Sequence, residues 1–277
     1  FPKDSEDIQN FIKFLNKKRD EGYVYLSVTM RGAGTDMTGG PLNDSIIMDT
    51  SRYMRGIIEV KSEKIGKQRS AVGHEYEIDG TARVLPGTFY RDFEKETLKH
   101  GLIMPCFPAS REWATVGGMV ANNGAGEKTL KYGQNKDFVK SLKVILDDGN
   151  EYLIEPIPKA VLEAKILEDN RQGEIYRKVW NLLKRNQDEI QLAKPKTSKN
   201  SSGYLLADIW NPNTEIFDPT HIFIGAQGTT GVITEITYKL IKNENHSKLL
   251  VIFLKDIKQI PELAHTLLQN DLETLEV

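Results

Sequence analysis

The sequence has little of several things. Cys106 is the only cysteine in 277 residues, which excludes an internal disulfide, a CxxC zinc site and a cysteine-held iron–sulfur cluster. One cysteine is most simply matched to a reducing compartment, so a cytoplasmic location is expected. The longest apolar run is Leu249–Leu254, far below the roughly 18 residues that mark a membrane span. No signal peptide is evident, so the sequon Asn200-Ser201-Ser202 carries no weight. Charge of one sign is also missing: 37 basic residues face 39 acidic ones, against a strongly basic nucleic-acid binder. Lys194–Lys199 holds three lysines with no aromatic residue between them for base stacking, and is expected to be a solvated loop. The five histidines, His74, His100, His221, His246 and His265, form no ligand-spaced pair, so no metal site is expected and each is taken as structural or exposed. No repeat or low-complexity tract occurs.

What is present suits a folded protein. Apolar residues make up 39% and charged residues 27%, and the length suggests about two domains. Ser5 is placed as the cap of a helix whose Ile8, Phe11, Ile12 and Leu15 recur at helical spacing, with Gly22 after its end. Strands are expected at Tyr23–Thr29, Ser45–Asp49, Gly56–Val60 and Ala82–Leu85. A helix follows with Phe89, Phe93 and Leu98, closed by His100-Gly101. Val139–Leu146 and Glu151–Ile154 flank Asp147-Asp148-Gly149-Asn150, a hairpin signal. Residues 159–193 are mostly helical, with Ile175, Val179, Leu182, Leu183 and Ile190 as the apolar face. Lys194–Ser202 is loop-like. Ile222–Ile224 and Val232–Ile241 are expected strands, as is Leu249–Leu254, and Ile260–Leu268 an expected helix. Trp113, Trp180 and Trp210 are taken as packing residues, and Lys242–Lys248 as a boundary. Strands and helices without regular βαβ alternation make the fold class α+β.

Half of the 22 glycines lie in three short windows, 31–40, 117–126 and 225–231. Such loops let a ligand approach the backbone and can aim several N–H groups at one anion. Tight structural turns are the plain alternative; three clusters, each after a strand signal, favour a cofactor carrying a diphosphate. The Rossmann fingerprint fails, because Met37 stands where the third glycine after Gly32 and Gly34 should be. The P-loop fails too, because Glu127 separates Gly126 from Lys128-Thr129.

Five motifs occur in order: RGAGTDMTGG (31–40), LPGTFYRDFEKETLKHGLIMPCFPAS (85–110), ATVGGMVANNGAGEKTLKYG (114–133), KNSSGY (199–204) and FIGAQGTTGVIT (223–234). Through them the chain resembles the FAD-linked oxidases of the vanillyl-alcohol-oxidase or PCMH type, in particular D-lactate dehydrogenase and the glycolate oxidase flavin subunit. The resemblance covers about residues 1–241. It implies a PCMH-type FAD-binding domain of two α+β subdomains, divided near 105–112. Residues 242–277 are then a linker and the start of a substrate-binding cap domain, and the chain is a piece of a longer protein.

The resemblance also implies which residues hold FAD. Arg31, Gly32, Ala33, Gly34 and Thr35 would wrap the pyrophosphate, extended by Gly39 and Gly40. Pro86, Gly87, Thr88, Pro108 and Ser110 would lie beside the flavin and its chain. Thr115, Gly117, Gly118, Asn122 and Gly124 would continue the cradle. Gln227, Gly231 and Ile233 would approach it from the third cluster. The family commonly has Ser-Glu where Ala226-Gln227 stands. Some relatives attach FAD to a histidine of the first loop; Ala33 and Thr35 occupy that loop here, implying non-covalent FAD. A flavin link through Cys106 is the alternative, with a packed thiol preferred.

Oxidising a 2-hydroxy acid requires a cation for the carboxylate and a base for the hydroxyl proton. No such catalytic set is recognisable here. The implied function is oxidation of a D-2-hydroxy acid, D-lactate- or glycolate-like, by hydride transfer to flavin in the intact parent. Another flavoenzyme of the same fold, such as a reductase or an aryl-alcohol oxidase, is one alternative; a cofactor-free interaction domain is the other. The electron acceptor is not readable from the residues; the resembled enzymes often pass electrons to a quinone pool or an iron–sulfur protein. Any attachment to the inner face of a membrane would come from parts outside this chain.

Overall fold

The computed structural model describes residues 1–70, 73–197, 199–244 and 246–277. Ser198, inside the expected 194–202 loop, and Asn245, inside the expected 242–248 boundary, lie outside them. In chain order the first elements are α1 (Ser5–Asp20), β1 (Val28–Arg31), β2 (Ile46–Asp49), β3 (Ile57–Arg69), β4 (Glu75–Val84), α2 (Tyr90–Leu98) and β5 (Leu102–Ile103). Then come α3 (Val116–Ala121), α4 (Thr129–Tyr132), α5 (Asn135–Phe138), β6 (Val139–Ile145), β7 (Glu151–Ile154) and β8 (Ile157–Pro158). The rest are α6 (Lys159–Lys165), α7 (Arg171–Arg185), α8 (Gln187–Ala193), β9 (Trp210–Asn211), β10 (Ile216–Phe217), β11 (Val232–Lys242) and α9 (Ile260–Leu267). The fold is mixed α+β, as expected.

Three sheets organise the chain. An antiparallel sheet of order β3-β4-β11-β6-β7, with β5 added to β11, carries the main core. Strand alternation turns Tyr76, Ile78, Ala82 and Val84 of β4 and Ile236, Tyr238 and Leu240 of β11 into that core. Helices α2, α3 and α5 cover it with Tyr90, Phe93, Val116, Met119, Val120 and Phe138. This sheet takes strands from both sides of residues 105–112, so the strands group differently from a division at that point. A parallel pair, β1–β2, packs under α1 through Ile8, Met48 and Met54. A small sheet of order β8-β10-β9 packs on α6 and α7 around Leu162, Tyr176, Trp180, Leu183 and Phe217.

Several sequence expectations need correction. Asp4, not Ser5, caps α1: its carboxylate accepts the Asp7 N–H at 2.9 Å. The first strand begins at Val28 and not at Tyr23, because only from there does β2 supply a partner. On α7 the buried row is Tyr176, Trp180 and Leu183, spaced to face Phe217, while Leu182 stays 44% exposed. Trp113 is 66% exposed and packs no core. Residue 222 ends a 3-10 turn, Pro219–Ile222, and 223–224 continue as a turn, so the third glycine cluster follows a turn and not a strand. Leu249–Leu254 forms no strand: among the described residues no neighbour takes its backbone hydrogen bonds, and Leu249 and Phe253 are 85% and 93% exposed. After α9 the chain is tied back, with Asp271 on Lys131 and His74 and Glu273 on Lys128.

Candidate functional site

The loop leaving β1 is the starting point. Within the described residues, the backbone N–H groups of Gly32, Ala33, Gly34 and Thr35 donate to nothing. All four residues line a cavity of about 160 Å³. Four consecutive unpaired N–H groups at a cavity wall form a nest for an anion. The Arg31 guanidinium folds over Gly34, where a β carbon would stand 2.4 Å from Nη2. Asp36, the one carboxylate at this cavity, accepts the Thr38 hydroxyl at 2.6 Å and the Thr38 N–H at 3.0 Å. Those bonds hold its pKa below the ordinary carboxylate value and pin the turn that leads to Gly40.

The second glycine cluster is not a loop throughout, because α3 runs through it. Thr115 caps that helix, accepting the Gly118 N–H at 3.4 Å. The Gly117 N–H donates to the Pro86 carbonyl at 2.8 Å. A β carbon on Gly117 would lie 2.6 Å from Pro86 Cβ, so glycine is required for this approach. The third cluster closes over the far end of α3. Gly225 N–H donates to Val120 O and Gln227 N–H to Ala121 O, both at 2.9 Å, giving Ala121 O a partner and Val120 O a second donor beside the Asn123 N–H. Gln227 Nε2 donates to Asn122 Oδ1 at 2.7 Å. Gln227 therefore braces the second cluster against the third.

The cavity brings together most of the residues singled out from sequence: Arg31, Gly32, Ala33, Gly34, Thr35, Gly40, Pro86, Pro108, Ser110, Thr115, Gly117, Gly118, Asn122, Gly124, Gln227 and Ile233. Four stand back from it. Gly87 packs where a β carbon would meet Thr50 O at 2.1 Å. The Thr88 hydroxyl donates to Leu85 O and accepts the Gly56 N–H, which holds the Pro86 turn. Gly231 packs on Val144, and Gly39 lies toward Leu42 at the outer end of the first loop. Met30, Asp36, Pro41, Thr50, Ala114, Met119, Ala121 and Gly228 also line the cavity and were not singled out. Most sit inside or beside the quoted motifs. Thr50 carries no sequence signal; parallel pairing of β1 with β2 brings it there.

No histidine or cysteine is at this cavity among the described residues. Cys106 is buried, its thiol donates to Gly133 O at 3.1 Å, and burial pushes its pKa up, as expected of a packed thiol. A cradle of free N–H groups, one arginine and close-packed glycines fits a diphosphate cofactor.

Residues 1–153 match the family described as "FAD binding domain". A D-2-hydroxyglutarate dehydrogenase of Pseudomonas putida is 28% identical, over 85% of this chain and 22% of its own length. A D-lactate dehydrogenase of Archaeoglobus fulgidus is 27% identical, over 99% of this chain and 46% of its own length. The chain thus spans less than half the length of these curated relatives. Among solved structures, alkyldihydroxyacetonephosphate synthase superposes with a TM-score of 0.52 at 17% identity, over 88% of this chain and 32% of that one. This last likeness concerns the fold alone. No helix is long and apolar enough to cross a membrane among the described residues.

Proposed function

The chain belongs to the FAD binding domain family, and from that premise we propose that it holds FAD, without a covalent link, for an enzyme that oxidises a small D-2-hydroxy acid. The observation that carries the cofactor half is the row of unbonded N–H groups from Gly32 to Thr35 beneath Arg31. The names of the relatives, D-lactate dehydrogenase and D-2-hydroxyglutarate dehydrogenase, support the substrate half. When bound, FAD supplies an acceptor for the hydride equivalent lost from the hydroxyl-bearing carbon. The chain's own part is binding and placement. The 32–35 loop and Arg31 meet the diphosphate, whose two negative charges find one acid, Asp36, at the cavity, and that acid is engaged by Thr38. Pro86, Thr115 and Gly117 fix the opposite wall, and Asn122 with Gln227 closes the end. A cavity of about 160 Å³ takes a diphosphate and its immediate neighbours.

We assign residues 1–241 to the flavin-holding unit and 242–277 to a linker and the start of a substrate domain. The exposed apolar side chains at 249–254, which have no core of their own here, support that assignment. The test has two stages. After incubation with FAD and desalting, absorbance near roughly 450 nm should remain. Acid precipitation should then leave the flavin in solution; flavin in the pellet overturns the non-covalent reading, and no retained flavin overturns the cofactor site. In the longest natural form of the protein, a panel of 2-hydroxy acids should bleach that band, D forms before L forms. Failure of every member sinks the substrate reading. Reoxidation of the bleached protein by a quinone or by an iron–sulfur protein would then identify the acceptor.

A further inference from the structure

A second, larger cavity of about 1650 Å³ opens on the other side of the contacts that join Asn123, Gln134 and Asn200. Among the described residues, none lines both it and the FAD cradle. Its floor is the sheet around Gln68, Val139 and Lys239; its walls are α7, α8 and the segment around Trp210. Seven basic side chains line it against four acidic ones, in a chain whose net charge is −2. Positive charge is therefore concentrated here.

Two groups in this groove are incompletely satisfied. Lys239 Nζ donates to Gln68 Oε1 at 2.7 Å, and no carboxylate of the described residues is within ion-pair distance of it. An ammonium has three donors, and one neutral acceptor leaves two open. Asp137 lies nearby and attracts Lys239, but its Oδ2 is taken by the Gln134 N–H at 2.7 Å. Burial pulls the Lys239 pKa down, against the pull of Asp137 and Asp218. The second group is His221. Its Nε2 is 3.5 Å from Asp218 Oδ2, and its Nδ1 is buried with no partner. Burial also pulls the imidazole pKa down, opposed first by Asp218. Of the other charges, Lys136 and Lys194 are spent on Asp208. The apolar side of the groove is Trp180 against Trp210, edge to face at 4.9 Å.

We propose that this groove is a second binding site, for a small organic anion whose carboxylate or phosphate head takes the open donors of Lys239 and whose apolar body lies on Trp210, which packs edge to face on the buried Trp180. Lys239 is half-buried at the floor of the groove, and a cation with spare donors there offers an anion a charge-assisted hydrogen bond. An apolar wall next to such a charge is the usual make-up of an organic-ligand pocket.

The test uses FAD-saturated protein, so that the cradle is filled, and two probes with one body and two heads: phenyl phosphate and phenylacetate. Calorimetric titration should show one or both binding with a Kd of roughly 1 mM or tighter. Binding of the first alone assigns a phosphate head, of the second alone a carboxylate head. Affinity should fall on raising NaCl from about 0.05 to 0.5 M, as a partly screened charge pair requires. Lys239→Met should weaken binding about tenfold or more, and Lys239→Arg should retain it. Trp210→Ala, on the half-exposed side, should weaken it in a protein that melts like the parent. No heat from either probe at roughly 10 mM overturns the proposal. Binding unchanged in both Lys239→Met and Trp210→Ala overturns it equally. Should Lys239→Met fail to fold, the salt dependence and Trp210→Ala still decide.

Discussion

Gly32 tests the reading of the cradle most directly. Its backbone is one that alanine can adopt, since its φ is not positive. The obstacle is space: a β carbon would stand 2.1 Å from Thr115 Oγ1 and 3.3 Å from Thr115 Cβ. An ordinary carbon–oxygen contact is over an ångström longer, so something must give. If Thr115 moves, the cap of α3 is lost, at about 1 kcal/mol. If the 32–35 loop moves, the N–H row leaves the diphosphate. Overpacking of this kind costs about 1–3 kcal/mol. Taken from FAD binding, that weakens Kd by roughly ten- to a hundredfold. Removing the hydroxyl and methyl of Thr115 leaves only the β carbon, at 3.3 Å, a tight contact that a shift of a few tenths of an ångström relieves. The Gly32→Ala penalty should therefore shrink by about 1 kcal/mol or more in a Thr115→Ala background, a coupling expected of touching residues. FAD titration and thermal melts on the four proteins of this cycle measure both channels. An unchanged FAD affinity and melting temperature in Gly32→Ala would refute the argument. So would an equal penalty in both backgrounds, since the clash with Thr115 is then not its source.

Two further outcomes follow from the packing around the cradle. Asn123 holds φ +47, its Oδ1 accepts the Lys136 N–H at 3.0 Å and its Nδ2 donates to Asn200 O at 3.3 Å. Asn123→Ala loses those bonds and pays for a left-handed backbone, about 2–3 kcal/mol in urea unfolding, whereas Asn123→Gly keeps the backbone and should cost about 1 kcal/mol less; glycine no better than alanine refutes the strain argument. Burial raises the Asp208 carboxyl, but hydrogen bonds from Lys136 and Lys194 outweigh it and bring its pKa down to about 2. A depressed carboxylate stabilises the fold above its unfolded pKa and loses that contribution as pH falls through the folded one. Wild type should thus exceed Asp208→Asn by about 2 kcal/mol near neutral pH, with the gap closing between roughly pH 4 and pH 2; a gap that persists at pH 2 refutes the ion-pair account.

How much of this was legible in the sequence depended on the range of the interactions. The hairpin of β6 and β7 was legible because Asp147–Asn150 carries its own turn chemistry. The 32–35 loop was legible because glycine spacing is local. Leu249–Leu254 misled, since an apolar run states only a preference for burial, and a strand also needs a neighbour. Leu182 misled for a related reason: helical spacing finds a stripe, but Phe217, far along the chain, selects which side of α7 becomes that stripe. Thr50 at the cradle and the orphaned Nδ1 of His221 were not legible at all. Both follow from pairing between distant segments, which residue type does not encode.

The three glycine clusters look alike in sequence and act differently. In the first, glycine and its neighbours leave N–H groups unpaired, and unpaired donors are what an anion can use. In the second, the corresponding N–H groups are already committed, Gly117 to Pro86 and Gly118 to Thr115. What glycine contributes there is distance, since Pro86 lies where a side chain would be. In the third, Gly225 and Gln227 spend their N–H groups on the end of α3. The clusters are thus a nest, a spacer and a clasp. Losing glycine from the nest should act on cofactor affinity, while losing it from the spacer should act first on the Pro86–Gly117 contact and so on folding. The same substitution, glycine to alanine, then separates the two roles: Gly117→Ala should lower the melting temperature of the FAD-free protein by more than Gly34→Ala does. Gly34 holds φ +69, so alanine there carries left-handed strain of about 1–2 kcal/mol, but its steric neighbour is the end of the flexible Arg31 side chain, which can swing away; Gly117 faces the Pro86 ring and backbone, which cannot, an overpacking of about 1–3 kcal/mol inside a helix.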